Sequence, residues 1–401
     1  MPGTPATAQA AVLSPTATLM PVDHRRELFE SVWQTVKDHY LYVDFHGVDW
    51  QALREQYEPK VMAASSAYEY YGLIADMVVQ LNDEHSRFLS PWQAREEYEL
   101  ITGQTNYVGI GILSKPEQYT VLIVYVFPGS PAEQAGLKRR DRITAVDGVP
   151  FTDASRELDR IRGPEGTTVT VTVRSPGMSP RDVTIRRSAI RGTILPSAHR
   201  LDSDPSTGYL LIPDLFVEDM GLRVEDRLDA LLQESGPQLQ GLVIDLRANG
   251  GGLRSVLQHI LAQFVTGEVG RFFSQKSEYP FRIAEGLYYD RLKAVRVVVL
   301  VDGGTESNAE LLAAILQNQH RARVVGTRTA GNTETVYPYD FEDGSRLWVA
   351  QEGFKLPDGT NLEGRGVIPD MTVNEDWTLY TEQQDPDILK AVELLKGGDL
   401  P

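Results

Sequence analysis

The chain has 401 residues, 41% of them hydrophobic and 24% charged, an ordinary globular composition with length enough for two or three domains. Its formal charge of −17 argues against nucleic acid or an anionic membrane as partner, since phosphates and acidic lipids do not attract a net anion, whereas a polypeptide substrate stays compatible. The absence of cysteine excludes thiol catalysis, disulfides and thiolate metal sites, and no apolar run approaches the roughly 18 residues of a membrane span.

Residues 1–21 are rich in Ala, Thr and Pro and are expected to be disordered. They lack the basic start and apolar core of a signal peptide, although Ala8-Gln9-Ala10 resembles a small-residue cleavage pattern. The expected compartment is the periplasm or cell envelope if an export signal is missing from this N-terminus, and the cytoplasm otherwise. Residues 22–104 read as a helical layer: Leu28, Val32, Val36 and Tyr40 keep the spacing of one helix face, and Tyr68 to Leu81 forms another amphipathic run. The layer ends in Leu81-Asn82-Asp83-Glu84-His85-Ser86-Arg87-Phe88-Leu89. A histidine there is ordinarily a surface or capping residue, but the carboxylates beside it would favour its protonated form and could orient its ring.

Residues 105–188 change character. Val108-Gly109-Ile110-Gly111 opens the segment, Tyr119 to Val126 reads as a strand, and Gly129-Ser130-Pro131-Ala132-Glu133-Gln134-Ala135-Gly136-Leu137 as a turn and short helix. This pattern resembles a PDZ domain, with Val108, Gly109, Ile110 and Gly111 in place of the loop whose N–H groups converge on a peptide's C-terminal carboxylate.

Residues 189–384 alternate strands and helices, as an α/β layered domain does, and 385–401 reads as a C-terminal helix and tail. Gly241 to Arg247 is a buried-type strand running into Ala248-Asn249-Gly250-Gly251-Gly252. With no Lys-Ser/Thr pair and no dinucleotide spacing, this turn suits donation of N–H groups to an oxyanion better than a nucleotide site. Val297 to Val301 is another such strand. It breaks at Gly303-Gly304 and resumes as a helix with Leu311, Leu312, Ile315 and Leu316 on one face. Ser307 sits in that turn near the positive end of the helix dipole, either as a simple cap or as a group that uses the free N–H donors around it.

Together these segments, with Gly364-Arg365-Gly366-Val367-Ile368-Pro369-Asp370, resemble the C-terminal processing peptidases and their tricorn-like relatives. The resemblance implies an α/β multidomain protein: a ββα-type, crotonase-like peptidase core with an N-terminal helical layer and an inserted PDZ domain. It makes Ser307 the nucleophile, with Gly251 and Asn308 as oxyanion donors. In dyad members of that family a lysine follows the nucleophile's helix in a Gly-Lys pair, but Gly331-Asn332 stands here, and an amide cannot take the serine's proton. The tricorn-like branch instead implies His85 as base and Glu363 in support; its serine before the histidine is replaced here by Glu84. No cofactor and no metal are implied. The expectation is a serine endopeptidase acting near the C-termini of polypeptides that end in free, apolar carboxyl termini, with no nucleic-acid partner, no membrane span and a homo-oligomer left open. Its alternatives are a catalytically inactive PDZ scaffold and, since retinoid carriers share the core fold, a binder of small apolar ligands.

Overall fold

The computed structural model describes residues 20–83, 85–101, 108–190 and 192–397. Most of the segment expected to be disordered lies outside these residues, as do Glu84, the start of the PDZ segment at 105–107, and the tail at 398–401. The described residues fall into two compact units: a small one, up to Tyr98 with Ser274–Ser277 and Glu334–Gly353, and a large one holding the rest. The stretch Glu334–Gly353, assigned on sequence to the α/β core, therefore belongs to the unit of the helical layer.

The small unit is built on helices Val22–His39, Trp50–Ala63 and Ala67–Val79. Asp49 and Ser66 begin the latter two by accepting the N–H groups of Ala52 (2.9 Å) and Glu69 (3.2 Å), donors a helix start leaves without partners. Phe29, Val32, Val36, Tyr70, Ile74 and Met77 share a core with Leu347, Val349 and Ala350. These last three lie on the strand Arg346–Lys355, which pairs antiparallel with Arg87–Leu89 (Phe88↔Leu347) and with Thr335–Asp340 (Tyr337↔Val349).

In the large unit the PDZ segment forms an antiparallel sheet in the order Ile112–Pro116, Val121–Val126, Arg142–Val146, Thr168–Arg174, Arg181–Arg186. The first of these is an edge strand. The α/β core has strands Ser197–Leu201, Asp204–Leu211, Gly241–Asp245, Arg296–Val301, Ala322–Gly326 and Met371–Thr372 in spatial order, parallel from the second onward. Alternate residues explain the uninterrupted apolar runs. Leu242, Ile244, Val297 and Val299 pack with helices Met220–Ser235, Arg254–Leu261 and Asn308–Asn318, while Val243, Val298 and Leu300 pack with helix Pro386–Gly397. Both faces of the sheet are covered. No helix among the described residues is long and apolar enough to cross a membrane.

Candidate active site

Strands Gly241–Asp245 and Arg296–Val301 are parallel neighbours in register (Asp245↔Leu300), so the turns leaving their carboxyl ends emerge side by side. In open α/β sheets that end is where ligands bind. The two turns are bonded to each other. Asp302 Oδ1 accepts the N–H of Ala248 and of Gly304, both at 2.9 Å, Thr305 donates its hydroxyl to Leu246 O (2.9 Å), and Glu306 N–H donates to Asn249 O (2.9 Å). The turn carrying Ser307 is thus held from several directions before any substrate arrives.

Ser307 begins helix Asn308–Asn318 with φ 55° and ψ −129°. An ordinary N-cap sits in the β region, and a non-glycine residue here stores on the order of 1–3 kcal/mol, a cost that capping alone does not explain. What opposes the strain is Glu310, one turn into the helix and fully buried. Its carboxylate accepts the N–H of Ser307 (3.1 Å), Gly331 (2.7 Å) and Asn332 (2.9 Å), together with the Thr329 hydroxyl. Burial raises its pKa against the pull of these donors. Asn332, at the position where a dyad enzyme has lysine, works through its backbone: its carbonyl accepts Ser307 N–H at 2.7 Å. The sequence reading missed Glu310, although Ser307-x-x-Glu310 is a visible capping-box spacing.

Of the two expected oxyanion donors, Asn308 N–H has no hydrogen-bond partner among the described residues. Gly251 packs against the Ser307 turn: its φ is +83°, and a Cβ added there would lie 2.6 Å from Ser307 Cβ. Its N–H, however, donates to Asn249 Oδ1 (2.9 Å), and Asn249 is anchored by its Nδ2 on Ile212 O (2.8 Å). The Gly251 donor is engaged within its own turn by a side chain two residues away, which the sequence reading did not anticipate.

Glu363, also in the large unit, accepts the N–H (2.7 Å) and hydroxyl (3.0 Å) of Thr333, fastening the loop that follows Asn332. His85 lies in the small unit, buried to 6% exposure. Asp83, expected to bear on its ring, turns instead to the backbone and accepts the N–H of His85 at 2.8 Å and of Ser86. The carboxylate near the ring is Glu334, with Oε2 3.9 Å from His85 Nε2. Glu334 was not singled out in the sequence.

Residues 206–373 match the family model described as Peptidase family S41, residues 21–79 the Tricorn protease C1 domain, and residues 122–175 a PDZ domain. A carboxyl-terminal-processing protease of Synechocystis is 30% identical over 400 residues, covering 96% of this chain and 90% of its own. The chain belongs to peptidase family S41. Among solved structures, a photosystem II D1 C-terminal processing protease superposes with a TM-score of 0.62 at 24% identity, covering 87% of this chain and 93% of that one. The tricorn protease does so with a TM-score of 0.53 at 18% identity, over 93% of this chain and 36% of that one. The protein is thus a serine-type peptidase of the carboxyl-terminal-processing kind with a PDZ domain, and the inactive-scaffold alternative is not favoured.

In this S41 peptidase the motif Asp245-Leu246-Arg247 is structural. Arg247 is buried and its guanidinium bonds Asp245, Asp385 and Asp387, all within 3.1 Å, with its face 4.3 Å from the centre of the Trp377 ring. Two arginines from the PDZ segment join the cluster: Arg139 reaches Asp245 (3.2 Å) and Arg140 reaches Asp385 (2.8 Å). The PDZ domain is therefore tied to the α/β core by desolvated, charge-assisted bonds.

At the proposed carboxylate loop, Val108 and Gly109 pair with Ala189 and Ser188 as a short ladder. The carbonyls of Ile110 and Gly111 accept Ala132 N–H (2.8 Å) and Phe127 N–H (3.0 Å). Gly111 has φ +87°, and a Cβ there would come within 2.3 Å of Ser130 Cβ, so the turn into the edge strand Ile112–Pro116 requires glycine.

Proposed function

We propose that the enzyme cleaves polypeptides near free, apolar C-termini by acyl transfer, with Ser307 as nucleophile, His85 as general base and Glu363 in a supporting role. The observation that carries this is the strained Ser307 at the strand-to-helix turn, next to the unengaged N–H of Asn308. Ser307 Oγ attacks the scissile carbonyl while the imidazole takes its proton. Asn308 N–H, with Gly251 N–H once Asn249 releases it, receives the oxyanion. The imidazolium then protonates the leaving amine, and water repeats the sequence to free the acyl group. An amide at position 332 cannot serve as the base, which supports a histidine mechanism over a serine–lysine dyad. Val108, Gly109, Ile110 and Gly111 face a substrate carboxylate in this reading, and the substrate chain adds along the edge strand Ile112–Pro116.

Labelling by a fluorophosphonate, followed by peptide mapping, tests the assignment. The wild type is expected to be labelled on Ser307 and Ser307→Ala not at all. His85→Ala should label at least about 10²-fold more slowly. Labelling that persists in Ser307→Ala, or at the wild-type rate in His85→Ala, would overturn the corresponding role.

A further inference from the structure

We infer that Glu334 is a positioning residue that acts through His85, its charge stabilising the imidazolium formed when His85 takes a proton; this rests on His85 being the base. The geometry lies within the small unit. His85 Nε2 and Glu334 Oε2 are 3.9 Å apart, and the two side chains are 6% and 2% exposed. At that separation and burial, the carboxylate's charge is only weakly screened by water, so it favours the charged form of the imidazole.

Glu334 is itself held in place. The Tyr42 hydroxyl donates to its Oε1, leaving Oε2 as the oxygen nearer the histidine. The Tyr42 ring packs 4.3 Å from the His46 ring, and the Tyr40 hydroxyl lies 3.4 Å from His46 Nδ1. The backbone on the histidine's side is fixed as well: Asp83 receives the N–H of His85 and Ser86, and Ser86 Oγ accepts Ala350 N–H at 3.1 Å. Among the described residues of the small unit, Tyr40, Tyr42, His46 and Asp83 are titratable groups packed around the pair. Burial, reinforced by the charge and hydrogen bond of Asp83 and then by the charge of Glu334, pushes the Tyr40 phenol far above its ordinary range, so it stays neutral.

Glu363 lies in the large unit, where it accepts the N–H and hydroxyl of Thr333. A purely structural Glu334, present only to receive the Tyr42 hydroxyl, would not influence the titration of His85. The two cases therefore separate on pH dependence.

The test compares pH profiles of kcat/KM for the full chain on a fluorogenic peptide with a free C-terminal carboxylate, for wild type, Glu334→Gln, Glu334→Asp, Tyr42→Phe and His85→Ala. Glu334→Gln should move the acidic limb down by about one pH unit or more, because the charge favouring imidazolium is gone. Its plateau should fall on the order of tenfold, less than the loss from removing the base itself. Glu334→Asp, which keeps the charge, should restore the limb towards its wild-type position. Tyr42→Phe, which keeps the carboxylate but removes its donor, should move the limb upward and serves as the readout if the Gln variant does not fold. A limb unmoved in both Glu334→Gln and Tyr42→Phe, while His85→Ala abolishes it, would overturn the inference and leave the base assignment standing. A wild-type profile in His85→Ala would overturn the base assignment, and the inference with it.

Discussion

Asp245 and Glu310 are both fully buried carboxylates of the large unit, and they are held in opposite ways. Asp245 faces charge: burial alone would push its pKa up, but Arg247 and Arg139, with the Tyr209 hydroxyl, hold it well below the usual carboxylate range. Glu310 faces only neutral donors, and burial wins, raising its pKa. The ionic cluster sits where elements distant in sequence must be fixed, joining Arg139 and Arg140 of the PDZ segment to Asp245, Arg247 and Asp385 of the core. The neutral set sits beneath Ser307. Backbone N–H groups fix the strained turn without adding a full charge of their own. Paired charges thus join the PDZ segment to the core, while the carboxylate beneath Ser307 is held by uncharged donors.

The strongest way to break this comparison is to remove the cation from the ionic cluster. Arg247→Leu leaves Asp245, Asp385 and Asp387 buried around an apolar side chain, and losing one partner of such a set costs about 3–5 kcal/mol. Urea unfolding should show that loss. A change under about 1 kcal/mol would mean that the cluster contributes little to holding the fold.

The corresponding change at the other carboxylate is Glu310→Gln. The amide retains one accepting oxygen but turns an NH₂ group towards one pair of donors, either Thr329 and Gly331 or Ser307 and Asn332, so stability should fall by about 1–3 kcal/mol. Because Ser307 rather than the peptide groove is disturbed, kcat should drop with KM little changed. An unaltered kcat in a folded variant would show that the turn keeps its strained form without Glu310.

Much of this architecture was legible in the sequence because local rules and global packing agree. The apolar runs at Gly241–Asp245 and Arg296–Val301 announced strands covered on both faces, and the glycines near residues 250 and 303 announced the turns that leave them. Ser307 was readable as the residue at a strand–turn–helix corner. What escaped was mostly what depends on contacts distant in sequence, with a few local side-chain-to-backbone bonds beside them. Glu334 stands in a stretch that reads as loop and strand, and nothing local ties it to His85. The stretch Glu334–Gly353 joins the small unit because Leu347, Val349 and Ala350 complete the core of the helical layer, a pairing that periodicity cannot specify. Asp83 was noticed for its charge, yet its oxygen caps a backbone turn, the commoner use of an aspartate two residues before the N–H it accepts. The engagement of Gly251 by Asn249 is local, and its spacing was visible, but whether the side chain turns to that N–H depends on the fold.

The smallest effect is the sharpest test of the opposition, because the two carboxylates should give different dependences of stability on pH. Asp245 has a folded-state pKa below its unfolded value, so its contribution is complete above the unfolded pKa of about 3.9 and is lost only as the pH falls towards the folded one. Glu310 has a folded-state pKa above its ordinary value. The folded protein then keeps a proton that the unfolded chain has released, and the stability gained is full below the ordinary pKa and fades as the pH rises through the folded one. Urea unfolding from about pH 4.5 to 7 should show the gap between wild type and Glu310→Gln narrowing as the pH rises. Over the same window, the gap between wild type and Asp245→Asn should stay flat, because the whole of that contribution is already present at its acidic end. Parallel curves for the two variants would mean that neutral donors hold Glu310 ionised as firmly as the arginines hold Asp245, and the distinction between a carboxylate held by charge and one held by uncharged donors would fall.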